Sequence, residues 1–173
     1  MKSRRDAGNA TAKPRIRKAG HDDAACFVEL VEALAEYEKL EPPDAASKLR
    51  LIEDTFGPSP RIEVFLAECE GVTAGYAIVF ETYSSFLALP TLYLEDIFVL
   101  PAFRRRRIGN ALMAAMAELA VTRGCGRMEW TVLNWNQPAL DFYEKLGARS
   151  MDEWRQYRLT RDQLADITTR GRE

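Results

Sequence analysis

A chain of 173 residues is long enough for one compact domain and too short for two full-sized ones. Apolar residues at 47% and charged residues at 29% match soluble globular usage and exclude collagen-like or disordered composition. With 24 Lys plus Arg against 26 Asp plus Glu the net charge is -2, so no global basic field gathers nucleic acid or anionic membrane. Cys26, Cys69 and Cys125 have no metal spacing and the single histidine is His21, which argues against a disulfide framework or a zinc site and for a reducing, cytoplasmic setting. No apolar run approaches the roughly 18 residues of a membrane span, and the basic start Met1 to Arg5 is not followed by a secretory apolar stretch.

Residues 1–13 carry no hydrophobic period and read as a disordered lead, so the folded domain is expected over 14–173. Arg15-Ile16-Arg17-Lys18 predicts a short first strand. Asp22 and Asp23 then offer helix caps, and Phe27, Leu30, Val31 and Leu34 recur at spacings of three and four, which predicts a helix ending near Leu40. A second helix is expected over 45–56, stopped by Gly57-Pro58. From Ile62 the period becomes two: Ile62 to Glu68, a turn at Glu70-Gly71, and Thr73 to Thr82 read as an antiparallel hairpin. Leu92 to Leu100 is a further strand closed by Pro101. A helix follows from Ile108-Gly109 to Gly124, then a strand over Arg127 to Leu133, a helix over Gln137 to Leu146, a last strand over Trp154 to Leu159 and a helix around Asp162 to Ile167. This order belongs to a single mixed α/β or α+β domain.

The most informative stretch is a strand, Leu92-Tyr93-Leu94-Glu95-Asp96-Ile97-Phe98-Val99, running through Leu100-Pro101-Ala102-Phe103 into Arg104-Arg105-Arg106-Arg107-Ile108-Gly109-Asn110. A loop that turns directly into a helix presents unpaired N–H groups and the positive end of the helix dipole, a combination that binds phosphate oxygens. Four arginines add guanidinium donors matched to phosphate, although such a run is equally at home as a solvated basic turn. Neither a Walker-type Gly-Lys-Ser/Thr run nor a Gly-x-Gly-x-x-Gly fingerprint is present, which argues against an ATPase or a dehydrogenase.

Arg104, Ile108 and Gly109 resemble the acyl-CoA-binding motif of the GNAT acetyltransferase superfamily, with Arg107 standing where that family usually has its first glycine. Leu34-Ala35-Glu36-Tyr37-Glu38, Leu92 to Asp96, Asn134-Trp135-Asn136-Gln137-Pro138 and Asp141 to Ala148 follow at the spacing of the spermidine/spermine (diamine) acetyltransferase branch, so the resemblance covers roughly residues 14–165. It implies a GNAT fold: a mostly antiparallel central sheet flanked by helices, with a parallel strand pair at the cofactor cleft. It also implies acetyl-CoA as co-substrate, no metal, and a homodimer by family analogy. The main chain of Ile97, Phe98 and Val99 would pair with the pantetheine arm. Arg104, Arg105, Arg106, Arg107, Ile108, Gly109 and Asn110 would hold the pyrophosphate, and Asn136, Pro138, Ala139 and Tyr143 would meet the rest of the carrier.

Acetylating an amine requires a neutral nucleophile, yet an alkyl ammonium titrates near 10.4, so a proton must leave at the site. Glu95 and Asp96 lie in an otherwise apolar strand, and strict alternation would send them to opposite faces; either carboxylate serves equally well as a structural ion pair. The resemblance assigns the proton to Glu95, through water, and places Tyr143 beside the departing thiolate. By pattern alone Tyr143 is a core tyrosine and Asn136 a helix cap. Glu36, Tyr37, Glu95 and Asp96 are the candidate substrate contacts, with Glu38 adding to an acidic cleft. The loop Tyr83 to Pro90 contains no carboxylate, a departure from the animal polyamine enzymes. The expected substrate is therefore a small primary amine: a diamine, or a lysine-like amino acid such as thialysine. Two alternatives stand: the same fold acetylating a protein or peptide amine, and a non-enzymatic nucleic-acid or protein-binding module using Arg104 to Arg107.

Overall fold

The computed structural model describes residues 13–170; the expected disordered lead lies almost wholly outside them. Its elements run β1 (Arg15–Lys18), a single 3₁₀ turn (His21–Asp23), α1 (Ala24–Glu38), α2 (Ala45–Phe56), β2 (Glu63–Cys69), β3 (Val72–Ser84), β4 (Leu89–Val99), a second 3₁₀ turn (Pro101–Phe103), α3 (Ile108–Thr122), β5 (Arg127–Glu129), α4 (Gln137–Lys145) and α5 (Arg161–Arg170). The strands form one sheet in the order β1-β2-β3-β4-β5, antiparallel except for the parallel pair β4 and β5.

Side-chain alternation in the hairpin sorts the core. Val64 and Leu66 on β2 stand opposite Ile78 and Tyr76 on β3, and Tyr76 in turn stands opposite Phe98 on β4. These five join Phe27 and Leu30 of α1 in one buried cluster, so α1 covers this face through the apolar stripe its sequence predicts. Ala67, Ala77, Val79 and Leu94 take the alternate positions, and α3, whose Ile108, Leu112 and Met116 are buried, packs on all five strands. The β2–β3 connection is Glu70-Gly71 with φ of 55° and 79°, the double left-handed turn that a tight hairpin requires.

Charge pairs tie the edge together. Arg17 on β1 donates to both carboxylate oxygens of Asp23 at 2.7 Å and to Glu68 at 2.5 Å. Arg123, just past α3, donates to Glu63 at 2.6 and 3.0 Å and to Glu81 at 3.1 Å. Asp23 occupies the α1 cap position but makes no side-chain cap; its carboxylate accepts from Arg17 and from the Gly20 N–H instead. Asp44 does cap α2, accepting from Ser47 N at 2.7 Å.

Two predicted strands need correction. The expected run over Arg127 to Leu133 is strand only over Arg127–Glu129. Trp154 to Leu159 forms no strand at all, and Trp154 and Tyr157 are exposed. A strand exists only where a partner satisfies its N–H and C=O groups, and its residue pattern cannot supply that partner. Backbone contacts divide the chain into two compact units at Thr131/Val132, the second containing α4 and α5. Among the described residues no helix is long and apolar enough to cross a membrane.

Candidate active site

The register of β3 and β4 slips between Ile78 and Val79: Ile78 faces Asp96, Val79 faces Leu94, and Glu95 has no partner. This bulge breaks the alternation on which the sequence argument for Glu95 and Asp96 rests. Glu95 is exposed, so the cost of a carboxylate within an apolar strand falls on Asp96 instead. Asp96 is half-buried beside the Tyr76–Ile78–Phe98 face, where the Tyr76 hydroxyl donates to its Oδ2 at 3.1 Å. Burial pushes its carboxyl up to about 6; the Tyr76 hydrogen bond opposes this, and the charges of Glu95 and Glu38 reinforce it. Burial also raises the Glu38 carboxyl at the end of α1. The fold thus brings Glu38, Glu95 and Asp96 within electrostatic reach of one another, a cluster that attracts an ammonium group or its proton. Of the two expected contacts on α1, Glu36 is exposed and Tyr37 half-buried.

Beyond the bulge no described strand pairs with β4 on its β5 side, which leaves an open ladder edge there. Its ladder with β5 ends at Tyr93 opposite Glu129. Leu100 N donates to Ala74 O at 2.9 Å, and the two-residue period of an antiparallel ladder then turns Phe98 N–H and C=O toward β3 and those of Ile97 and Val99 toward the open edge. An amide-bearing arm can pair there through both main-chain groups of Ile97 and the N–H of Val99, whatever their side chains; Val99 C=O already accepts from Arg104 Nε. Gly75 lies opposite Val99, and a Cβ there would sit 2.4 Å from Phe98 O, so the approach of β3 to this part of β4 requires glycine.

The loop after β4 gives its arginines different tasks. Arg104 donates from Nε to Val99 O at 3.1 Å and lays its guanidinium 4.4 Å over the Tyr37 ring, joining the end of α1 to the end of β4. Arg106 pairs with Glu70 of the β2–β3 turn at 3.1 Å and covers Phe103. Arg105 and Arg107 are exposed, with φ of 62° and 61°. These left-handed positions strain any residue with a Cβ by about 1–2 kcal/mol, which is the physical reason for a glycine where Arg107 stands. Arg107 C=O accepts from Ala111 N at 3.0 Å, so the N–H groups of Ile108, Gly109 and Asn110 lie in the first turn of α3 without intrahelical partners. Open N–H groups, a helix N-terminus and two outward guanidinium groups fit a pyrophosphate, and the open edge of β4 fits the arm that would follow it.

In the second unit, Asn136 is buried at the N-cap of α4 with no side-chain cap, its carbonyl accepting from Ala139 N at 3.0 Å. Pro138 occupies the first turn, where a missing N–H costs nothing. Tyr143 is half-buried two turns on, its ring 5.4 Å from that of Phe142. Sequence reasoning missed Tyr76, which it read as a core residue on an alternating strand. The available signal was the hydroxyl, since a buried tyrosine needs a polar partner where a phenylalanine does not.

The model of the acetyltransferase (GNAT) family matches residues 27–148. An L-ornithine N5-acetyltransferase of Arabidopsis thaliana is 47% identical over 96 residues, covering 56% of this chain but only 42% of that longer protein. A thialysine N-epsilon-acetyltransferase of Sus scrofa is 32% identical over 163 residues, 88% of this chain and 95% of that protein. Among solved structures, an integron cassette protein from the mobile metagenome of V. cholerae superposes with a TM-score of 0.75 at 24% identity, over 90% of this chain and 97% of its own. The family match spans α1 through α4 and takes in the loop that fits a pyrophosphate: this chain belongs to the GNAT family and is an N-acetyltransferase.

Proposed function

We propose that the enzyme acetylates the primary amine of a small cationic substrate, a diamine or a lysine-like amino acid, within a ternary complex. The observation that carries this is the carboxylate cluster of Asp96, Glu38 and Glu95 at the bulge of β4, beside the open strand edge. Relatives that act on thialysine and ornithine support the same class, since both carry an amine on a flexible aliphatic stem.

When bound, acetyl-CoA supplies an acetyl thioester whose C–S bond breaks as the amine nitrogen forms the new C–N bond. The chain's own residues handle the protons and the positions. Arg105, Arg107 and the first N–H groups of α3 hold the pyrophosphate, and Ile97 and Val99 pair with the amide arm through their main chain. Asp96 and Glu38 draw in the ammonium. Glu95, exposed on the bulge, takes the proton the ammonium must lose, through water. Tyr143 on α4 gives a proton to the departing thiolate and is restored by the second proton that the newly acylated nitrogen releases, so one proton leaves in all, on Glu95. No residue needs to form an acyl-enzyme, because direct transfer between two bound partners asks only for positioning.

A panel of diamines, lysine-like amino acids, aminoglycosides and peptide amines, followed by release of free thiol from acetyl-CoA, tests the substrate class. Turnover highest with a diamine or lysine-like amino acid is expected. Turnover confined to peptide amines would replace the small-molecule reading with the protein one.

A further inference from the structure

Tyr76 sits on β3, the central strand of the sheet, fully buried, with its ring 5.7 Å from Phe27 and 6.3 Å from Phe98. The packing asks only for an aromatic ring, and its hydroxyl serves no part of the hydrophobic cluster. That hydroxyl reaches Asp96 Oδ2 instead. The other groups acting on Asp96 are the carboxylates of Glu95 on the bulge of β4 and Glu38 at the end of α1. Arg104, at the start of the loop, is engaged with Val99 O and stacked on Tyr37.

We propose that Tyr76 is a positioning residue of the acceptor site, its hydroxyl holding the Asp96 carboxylate in place and in its charged form so that it can anchor the cationic substrate. This rests on the role of Asp96 as an ammonium contact. Burial and two neighbouring negative charges all favour the protonated carboxyl, and the Tyr76 hydrogen bond is what opposes them. A phenylalanine would keep the ring contacts and leave Asp96 to take up its proton at higher pH. The buried hydroxyl thereby sets the pH at which the enzyme begins to capture charged amines.

The test is Tyr76→Phe in the full chain, read in two ways. Carboxyl-¹³C titration of Asp96, assigned with Asp96→Asn, is expected to give a midpoint about 6 in the wild type and an upward move of about one unit in Tyr76→Phe. The kcat/KM for the best small amine is expected to fall about fivefold more at pH 6 than at pH 8.5, the ratio of charged fractions that a one-unit move produces. A purely structural role would lower kcat/KM by one factor at both pH values and overturn the proposal. So would an Asp96 midpoint that does not move in Tyr76→Phe. A wild-type midpoint near the ordinary carboxylate value would do the same without any variant, and so decides the matter even if Tyr76→Phe fails to fold. A shifted titration in an enzyme that acetylates no small amine would instead defeat the acceptor-site reading, and the role of Tyr76 with it.

Discussion

Replacing Asp96 with asparagine should make the protein more stable and a worse enzyme. The native carboxyl titrates at about 6 against an ordinary value of 3.8, so the folded state holds this proton more tightly than the unfolded one. Stability contributed by the protonated group is full below the unfolded value and is lost as pH rises to the folded value. Above pH 6 the charged, half-buried carboxylate therefore costs up to about 3 kcal/mol, from roughly two units at 1.36 kcal/mol each. Asparagine has nearly the same shape, carries no charge, and can still accept from Tyr76 through its amide oxygen. Urea denaturation of Asp96→Asn at pH 7.5 should show a gain of up to about 3 kcal/mol, or about 6–12 °C in Tm for a chain of this size. At pH 4 most of that gain should be gone. Losing a charge-assisted contact to the ammonium should meanwhile lower kcat/KM about 10- to 100-fold. A stability gain equal at both pH values, or a loss at pH 7.5, would refute the argument that a half-buried, reluctantly ionised Asp96 lies beside the acceptor site.

Other substitutions separate the remaining roles. Arg107→Gly and Arg107→Ala should lose similar acetyl-CoA affinity by calorimetry, since both remove the guanidinium, while the glycine variant should unfold at a stability higher by about 1 kcal/mol because only it is unstrained at φ 61°. Arg104→Lys keeps the charge but loses the planar stack on Tyr37 and the Nε bond to Val99 O; a stability loss of about 1–2 kcal/mol in urea, with weaker acetyl-CoA binding, is expected. Tyr143→Phe and Glu95→Gln should each lower kcat about 100-fold or more with Tm little changed, and unchanged turnover in both would remove the proton-transfer roles.

Much of this architecture was legible in the residues. The bounds of α2 follow from its apolar spacing and from Gly57-Pro58, and the hairpin follows from period two and Glu70-Gly71, because these are local properties of the backbone and its periodicity. The loop at the start of α3 was legible for the same reason, and even the mismatch at Arg107 has its counterpart in a left-handed backbone. What escaped depends on partners distant in sequence. Whether Trp154 to Leu159 becomes a strand is decided by what lies beside it. The bulge at Glu95 is a property of the β3–β4 pairing, and it leaves Glu95 exposed and unpaired while Asp96 lies opposite Ile78, an allocation that alternation alone does not make. The Tyr76–Asp96 bond joins residues on adjacent strands whose types look unremarkable when each strand is read alone.

The claim beneath all of this is that the exit of β4 and the first turn of α3 grip the acyl carrier. Titrating isotope-labelled protein with acetyl-CoA and following each backbone amide tests it most directly. The account predicts that the largest shifts fall on Ile97, Val99 and residues 105–110, with the β1 edge unmoved. Saturating shifts centred elsewhere, with residues 105–110 silent, would contradict it.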